Sequence, residues 1–91
     1  MRYEWNGKKR LLNLAHHRVD FEAINYFDWE TADVVRDQRR DYGEERFVGT
    51  GVIENRVHIA VFTIRAGRVR LISLRKANRR EVLAYMGAKD D

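Results

Sequence analysis

The 91-residue chain contains no cysteine and no proline. Without thiols there are no disulfides, thiolate metal sites, redox pairs or cysteine nucleophiles, so the chemistry open to it must come from charge. Long apolar runs are also missing, and none approaches the ~18 residues that a membrane helix requires. The opening Met1-Arg2-Tyr3-Glu4-Trp5 lacks the build of a secretion signal. These absences lead us to expect a soluble cytoplasmic protein with no membrane association. The length suits a single domain, residues 1–91, around one modest core.

What the chain has is arginine. Fourteen of its 18 basic residues are arginines, against 14 acids, for a net charge of +4. Arginine holds a phosphate through a planar, permanently charged fork, which lysine cannot do. The charges are also segregated: residues 20–45 carry a balance of −6 and residues 62–86 a balance of +6. A concentrated basic third of this kind points to a polyanion or an acidic partner.

Residues 2–5 suit an edge strand. Asn6 can cap a helix ending near His17-Arg18, with Leu11, Leu14 and Ala15 at helical spacing and Leu12 widening the apolar face. Asp20 can cap a second, short helix ending at Asp28, with Val19 stapled to Ile24 and with Phe21, Ile24 and either Phe27 or Tyr26 turned inward. Residues 32–37 suit a short edge strand and 38–45 a loop. Three β-rich runs follow at 46–53, 57–64 and 69–75, spaced for antiparallel hairpins, with the middle run central because both of its faces are apolar. Asn78 and Glu81 form a capping-box pattern for a last helix that buries Val82, Tyr85 and Met86 and stops at Gly87, leaving Ala88 to Asp91 to fray. The expectation is an α+β domain with a small antiparallel sheet, two N-terminal helices and one C-terminal helix.

Gly49-Thr50-Gly51 sits inside a strand pattern, so it reads as a bulge or a close backbone approach rather than a nucleotide loop. Adjacent His16 and His17 diverge on a helix, and His58 has no carboxylate at ligand spacing, so no metal site is expected. Trp5 and Trp29 read as packing residues before base-stacking platforms. Ser73 lacks the strand-to-helix elbow of an activated serine. The run from Arg70 to Glu81 is different, because a strand delivers Arg75, Lys76, Arg79 and Arg80 into the start of a helix, where free amides and a positive dipole attract phosphate. The competing reading pairs Arg75 or Arg79 with Glu44, Glu45 or Glu81 for the fold alone.

Taken end to end, the chain resembles the BrnT family of bacterial type II toxins. The resemblance rests on Tyr3-Glu4-Trp5, Lys9 and Asn13; on His17, Val19 and Phe21-Glu22; on Phe27-Asp28 and Tyr42-Gly43-Glu44-Glu45-Arg46-Phe47; and on Gly51, Arg65, Ile72-Ser73, Arg75-Lys76-Ala77, Glu81 and Tyr85. Where the family commonly has Lys-His-Gly this chain has His16-His17-Arg18; Asn6 stands for an aspartate and Leu74 for an alanine.

The resemblance implies a RelE-like fold and a metal-independent endoribonuclease that needs no cofactor and inhibits translation. It also implies a BrnA-type antitoxin as partner, with operator DNA reached only through that antitoxin. On this basis Arg65 and Arg75 are assigned to phosphate clamping, Lys76 and Arg79 to RNA positioning or leaving-group stabilisation, and Glu45 or His17 to proton transfer. Arg68, Arg70, Arg80 and Lys9 are assigned to RNA binding. The alternative is a non-catalytic basic domain that binds RNA or an acidic protein.

Overall fold

A computed structural model describes residues 1–90. Five strands form one sheet in the order β1-β5-β4-β3-β2: β1 (Tyr3–Glu4), β2 (Asp33–Asp37), β3 (Arg46–Ile53), β4 (Arg56–Arg65) and β5 (Arg68–Lys76). Helix α1 (Gly7–His17) and a 3-10 helix (Phe21–Tyr26) lie between β1 and β2, and α2 (Arg79–Asp90) closes the chain. Two-residue turns make the β3–β4 and β4–β5 hairpins, with Glu54, Asn55, Ala66 and Gly67 all at positive φ. That backbone twist matches the twist of the flanking strands.

The sheet is mixed rather than antiparallel throughout, because β1 pairs with β5 in parallel. β1 runs into a helix instead of a hairpin turn, so nothing reverses it against its neighbour. It covers only Val69 and Arg70. Further along that open edge the side chain of Asn13 on α1 takes over. Its Nδ2 donates to the Leu74 carbonyl at 2.7 Å and its Oδ1 accepts from the Leu74 amide at 3.2 Å. Nδ2 also donates to the Val19 carbonyl at 3.0 Å. A buried side-chain amide thus stands in for a strand's peptide group, satisfying an edge that would otherwise be an orphan.

The second N-terminal element is a 3-10 helix, not an α-helix. Asp20 caps it, but its bonds are short-range, such as Phe27 N to the Ile24 carbonyl at 3.1 Å, and Asp28 N is already bonded to Val52 of the sheet at 3.0 Å. Six residues leave no room for a longer ladder. Its inward residues Phe21 and Ile24 join Leu71 and Leu74 as the most buried large side chains, with Phe27 rather than Tyr26 turned in. Burial of each such side chain contributes about 1.5–3 kcal/mol. Trp5 and Trp29 are packing residues: Trp5 meets Phe21 edge-on, and Trp29 meets Phe27 and Phe62 edge-on while donating Nε1–H to Tyr3 Oη at 2.7 Å. At Gly51 a Cβ would stand 2.6 Å from the Phe27 ring, so the close approach expected of the glycine pair is real there.

Helix α1 reverses its expected orientation. Leu11, Leu12, Leu14 and Ala15 are exposed, while Arg10, Asn13 and His17 face the protein. The inward side is held by polar bonds: Asn13 on β5, and Arg10 forked onto Asp20 at 2.9 and 3.0 Å. Arg18 ends the helix with φ 62 and ψ 25, a left-handed cap that glycine would adopt without steric cost. α2 begins as expected, with Asn78 Oδ1 accepting from Glu81 N and Glu81 Oε1 accepting from Asn78 N. It does not stop at Gly87, whose φ is not positive, but continues to Asp90. Tyr85 is buried, Val82 is half-buried and Met86 is exposed. Of the tail expected to fray, Asp91 lies outside the described residues.

Candidate nucleic-acid interface

Strand alternation divides the side chains between two sheet faces. One faces the aromatic core. On the other, the strand registers define successive rows: Asp33, Thr50, Ile59 and Arg75; then Val35, Val48, Val61 and Ser73; then Asp37 and Arg46, with Thr63 and Arg70. α2 covers the first of these and reaches Val48 of the second, where Glu81, Ala84 and Tyr85 line a small cavity with Asp33, Val48, Thr50 and Ile59. Tyr85 Oη donates to the Thr31 carbonyl at 3.0 Å, and Lys89 reaches Asp33 at 3.0 Å. The remainder of this face is open and rich in arginine.

Arg75 ends β5 on this face, and Glu81 receives it in a fork of two 2.8 Å bonds. The same carboxylate closes the capping box of α2, so the helix start and the arginine are fixed by one group. The Arg75 fork and the Asn78 amide hold the Glu81 carboxyl down at about 2, which keeps it ionised. Arg75 retains about a third of its side-chain exposure (34%). His17, at the end of α1, lies within reach of that charge: burial, then His16 and Arg75, lower its pKa and favour the neutral imidazole. His17 therefore has an uncharged nitrogen available to accept a proton near neutral pH.

A second arginine array on this face went unseen in the sequence. The Asp37 side chain is 2% exposed. It accepts from Arg39 Nε and Nη2, both at 2.9 Å, and from Tyr42 Oη at 3.0 Å. These donors, the Arg39 fork foremost, pull the Asp37 carboxyl far below the usual carboxylate range. The Arg39 guanidinium itself remains 74% exposed and close enough to Arg75 to oppose its charge. Arg46 stacks over the Tyr42 ring at 4.1 Å and bonds Glu44 at 3.2 Å. The signal that could have found this array is the Asp37–Arg46 pairing across a β2–β3 ladder, hidden because the intervening loop is too long to read as a hairpin.

The expected site residues do not form one cradle. Arg75 lies opposite Ile59, whereas Arg65 lies six residues further along β4, about 20 Å away at strand spacing. Arg65 and Arg68 face each other at the β4–β5 hairpin, far from the last helix. Arg65 instead shares an open cleft of about 510 Å³ with Glu45 and Thr63. Glu45 is also 3.5 Å from Arg36. Lys76, opposite His58, points to the core side of the sheet and lines a cavity with Arg18 and His58. Arg79 and Arg80 are exposed in the first turn of α2. Arg70 bonds Glu4 at 3.1 Å, and Lys9 lines a shallow cleft with His16, His17 and Ile72. The structure thus places Glu45 and Arg65 in one cleft, and elsewhere brings His17 within range of the Arg75 charge.

A family model described as the ribonuclease toxin BrnT of type II toxin–antitoxin systems matches residues 5–81. The chain belongs to the BrnT family. A comparison with curated proteins found no match. The BrnT match runs from Trp5 through strands β2 to β5 and ends on Glu81, so it takes in both arginine arrays and the Arg75–Glu81 fork. Membership makes this chain a ribonuclease toxin of a type II system, and an antitoxin partner comes with that class. Among the described residues, no helix is long and apolar enough to cross a membrane.

Proposed function

We propose that this BrnT member is a metal-independent endoribonuclease of RelE-like fold, a single domain that cleaves RNA laid along the open sheet face. The observation that carries the proposal is the Glu81 fork, which holds Arg75, still a third exposed, at the border of the cation-rich open surface and within range of the His17 imidazole. In such cleavage the ribose 2′-hydroxyl attacks the adjacent phosphorus and negative charge builds on the equatorial and departing oxygens. His17 accepts the hydroxyl proton. Arg75, with donors left over after Glu81 takes two, stabilises the equatorial oxygens. A preorganised donor of this kind contributes about 3 kcal/mol in the transition state. Arg79, Arg80, Arg68 and Arg70 track the RNA backbone, with Lys9 at its margin, while Lys76, on the core side of the sheet, takes no part.

Arg65 and Glu45 support a second reading, in which their shared cleft is the reacting centre and the Arg75 end only holds RNA. Purified protein should cut RNA with a chelator present. Arg75→Ala should lower cleavage by about 100-fold or more while leaving the circular dichroism spectrum unchanged. Full activity in Arg75→Ala, with loss in Arg65→Ala, would move the centre to the second cleft. No cleavage by the wild type, together with RNA binding, would instead favour a non-catalytic basic domain.

The cellular reading follows: a cytoplasmic toxin that blocks translation by cutting transcripts, held in check by a BrnA-type antitoxin through which the complex reaches operator DNA. Expression without the antitoxin should arrest growth, and Arg75→Ala should relieve the arrest.

A further inference from the structure

Helix α1 is inside out. Its buried side is polar, with Asn13 on the β5 backbone and Arg10 on Asp20. Its solvent side carries Leu11 at 66% and Leu12 at 60% exposure, with Ala15 between them on the helix surface. Beside Leu12 a cleft of about 260 Å³ opens between the helix and Ile72, the extra residue where the β4–β5 register slips. Exposed leucines scattered singly need no explanation, but an apolar helix face backed by polar anchoring is built to be covered.

The charges around it select the cover. The helix sequence, GKKRLLNLAHH, contains no acid, and Lys8, Lys9 and His16 rim the apolar strip. A second copy of this chain would set lysine against lysine across the contact, and RNA would leave the leucines in water. An amphipathic helix with acidic flanks satisfies both the strip and its rim. We infer that the outward face of α1 is the docking site for an acidic amphipathic helix of the antitoxin, with an apolar side chain entering the Leu12–Ile72 cleft. The antitoxin itself follows from the family; the surface and the chemistry of the segment that takes it rest on the inverted helix, and on the proposed function only in that the cleft also reaches His17, so a docked segment covers the proposed base.

The test uses the full chain with the small protein encoded beside its gene as the probe. Leu11→Glu combined with Leu12→Glu should weaken binding by about 100-fold or more, since centrally placed apolar anchors dominate such interfaces. The circular dichroism spectrum should stay at wild type, and Leu11→Glu alone, at a residue outside the His17 cleft, should weaken binding while keeping wild-type RNA cleavage. Lys8→Glu should weaken binding about tenfold at low salt and much less at high salt. Val35→Glu, on an exposed apolar spot of the sheet edge, serves as the control and should bind as wild type. Unchanged binding in the leucine double variant would overturn the assignment. Loss of RNA cleavage with binding intact would give the face to RNA, and loss of self-association would give it to a second copy; either also overturns it. If the wild type cuts no RNA, the enzymatic reading fails while the binding measurement still decides the surface.

Discussion

On one face of the sheet Phe21, Ile24, Leu71 and Leu74 are shut away from water by the 3-10 helix and the segment after it, whereas on the other Arg39, Arg46, Arg70 and Arg75 stand exposed or half-exposed, each tied to a carboxylate. The first face gains stability from apolar area. The second gains less, since ion pairs open to water contribute about 0–1 kcal/mol each and only Arg39 has a buried partner, Asp37. What the carboxylates supply there is direction: they hold guanidinium groups in a set geometry at the cost of part of their hydrogen-bonding capacity. Stability and proposed chemistry are thereby placed on opposite sides of the same strands, and substitutions should separate them.

The largest separation is expected at Phe21. Phe21→Ala should cost about 3–5 kcal/mol of stability, a transfer loss plus a cavity. Urea midpoints should fall steeply, and cleavage should fall only in proportion to the unfolded fraction. A small midpoint shift would mean that the core collapses around the gap.

Asn13 tests the border between the faces. Asn13→Leu removes three bonds and leaves both the amide and carbonyl of Leu74 unsatisfied. The expected loss is about 2–3 kcal/mol, with faster hydrogen exchange at the Leu74 amide. Normal protection at Leu74 would show that the edge does not depend on the side chain.

Glu81→Gln addresses the open face alone. Glutamine can still close the capping box, but it cannot hold Arg75 in a charged fork. Cleavage should fall about tenfold while the midpoint shifts by about 0.5 kcal/mol or less. Wild-type cleavage, with Arg75→Ala still inactive, would show that Arg75 needs no carboxylate to orient it.

These contrasts also explain what could be read from the sequence. The three long strands were legible because alternation reports local geometry, and the middle run showed its central place through two apolar faces. The Asn78–Glu81 cap was legible for the same local reason. The leucines of α1 carried a true helical period but misled about direction: periodic apolar residues report that a face will be covered, not whether by this chain's own core. The 3-10 form of the second helix was not legible, because Asp20 and the inward Phe21 and Ile24 suit either form, whereas the Asp28–Val52 bond to the sheet follows at once. At the candidate site, Arg75 was legible from its strand-to-helix position. Its separation from Arg65 was not, because residue order along a hairpin hides that both ends of a strand can bear the same charge. Arg39 was hidden in a loop, and only the long-range β2–β3 pairing brings its buried anchor Asp37 onto the open face.

The smallest effect on stability is a pH dependence that the two histidines should divide between them. His17 and His58 both have pKa values lowered from the ordinary 6.5, with burial as the first cause in each. His16 and Arg75 reinforce the shift at His17; at His58, Arg56 and Lys76 add to it while the Arg56 carbonyl, 2.8 Å from Nδ1, opposes it. Below pH 6.5 the unfolded chain takes up protons that the folded one resists. Stability is therefore undiminished above that pH and is lost as pH falls from there through the lowered folded values. Urea midpoints measured from about pH 7.5 down to about 5 should decline, and His58→Gln should flatten part of the decline without touching cleavage. His17→Gln should instead remove most cleavage, because the acid limb of the wild-type cleavage profile reports protonation of the proposed base. If His17→Gln retains wild-type cleavage and the same acid limb, the proton acceptor is another group, and Glu45 in the Arg65 cleft becomes the one to test.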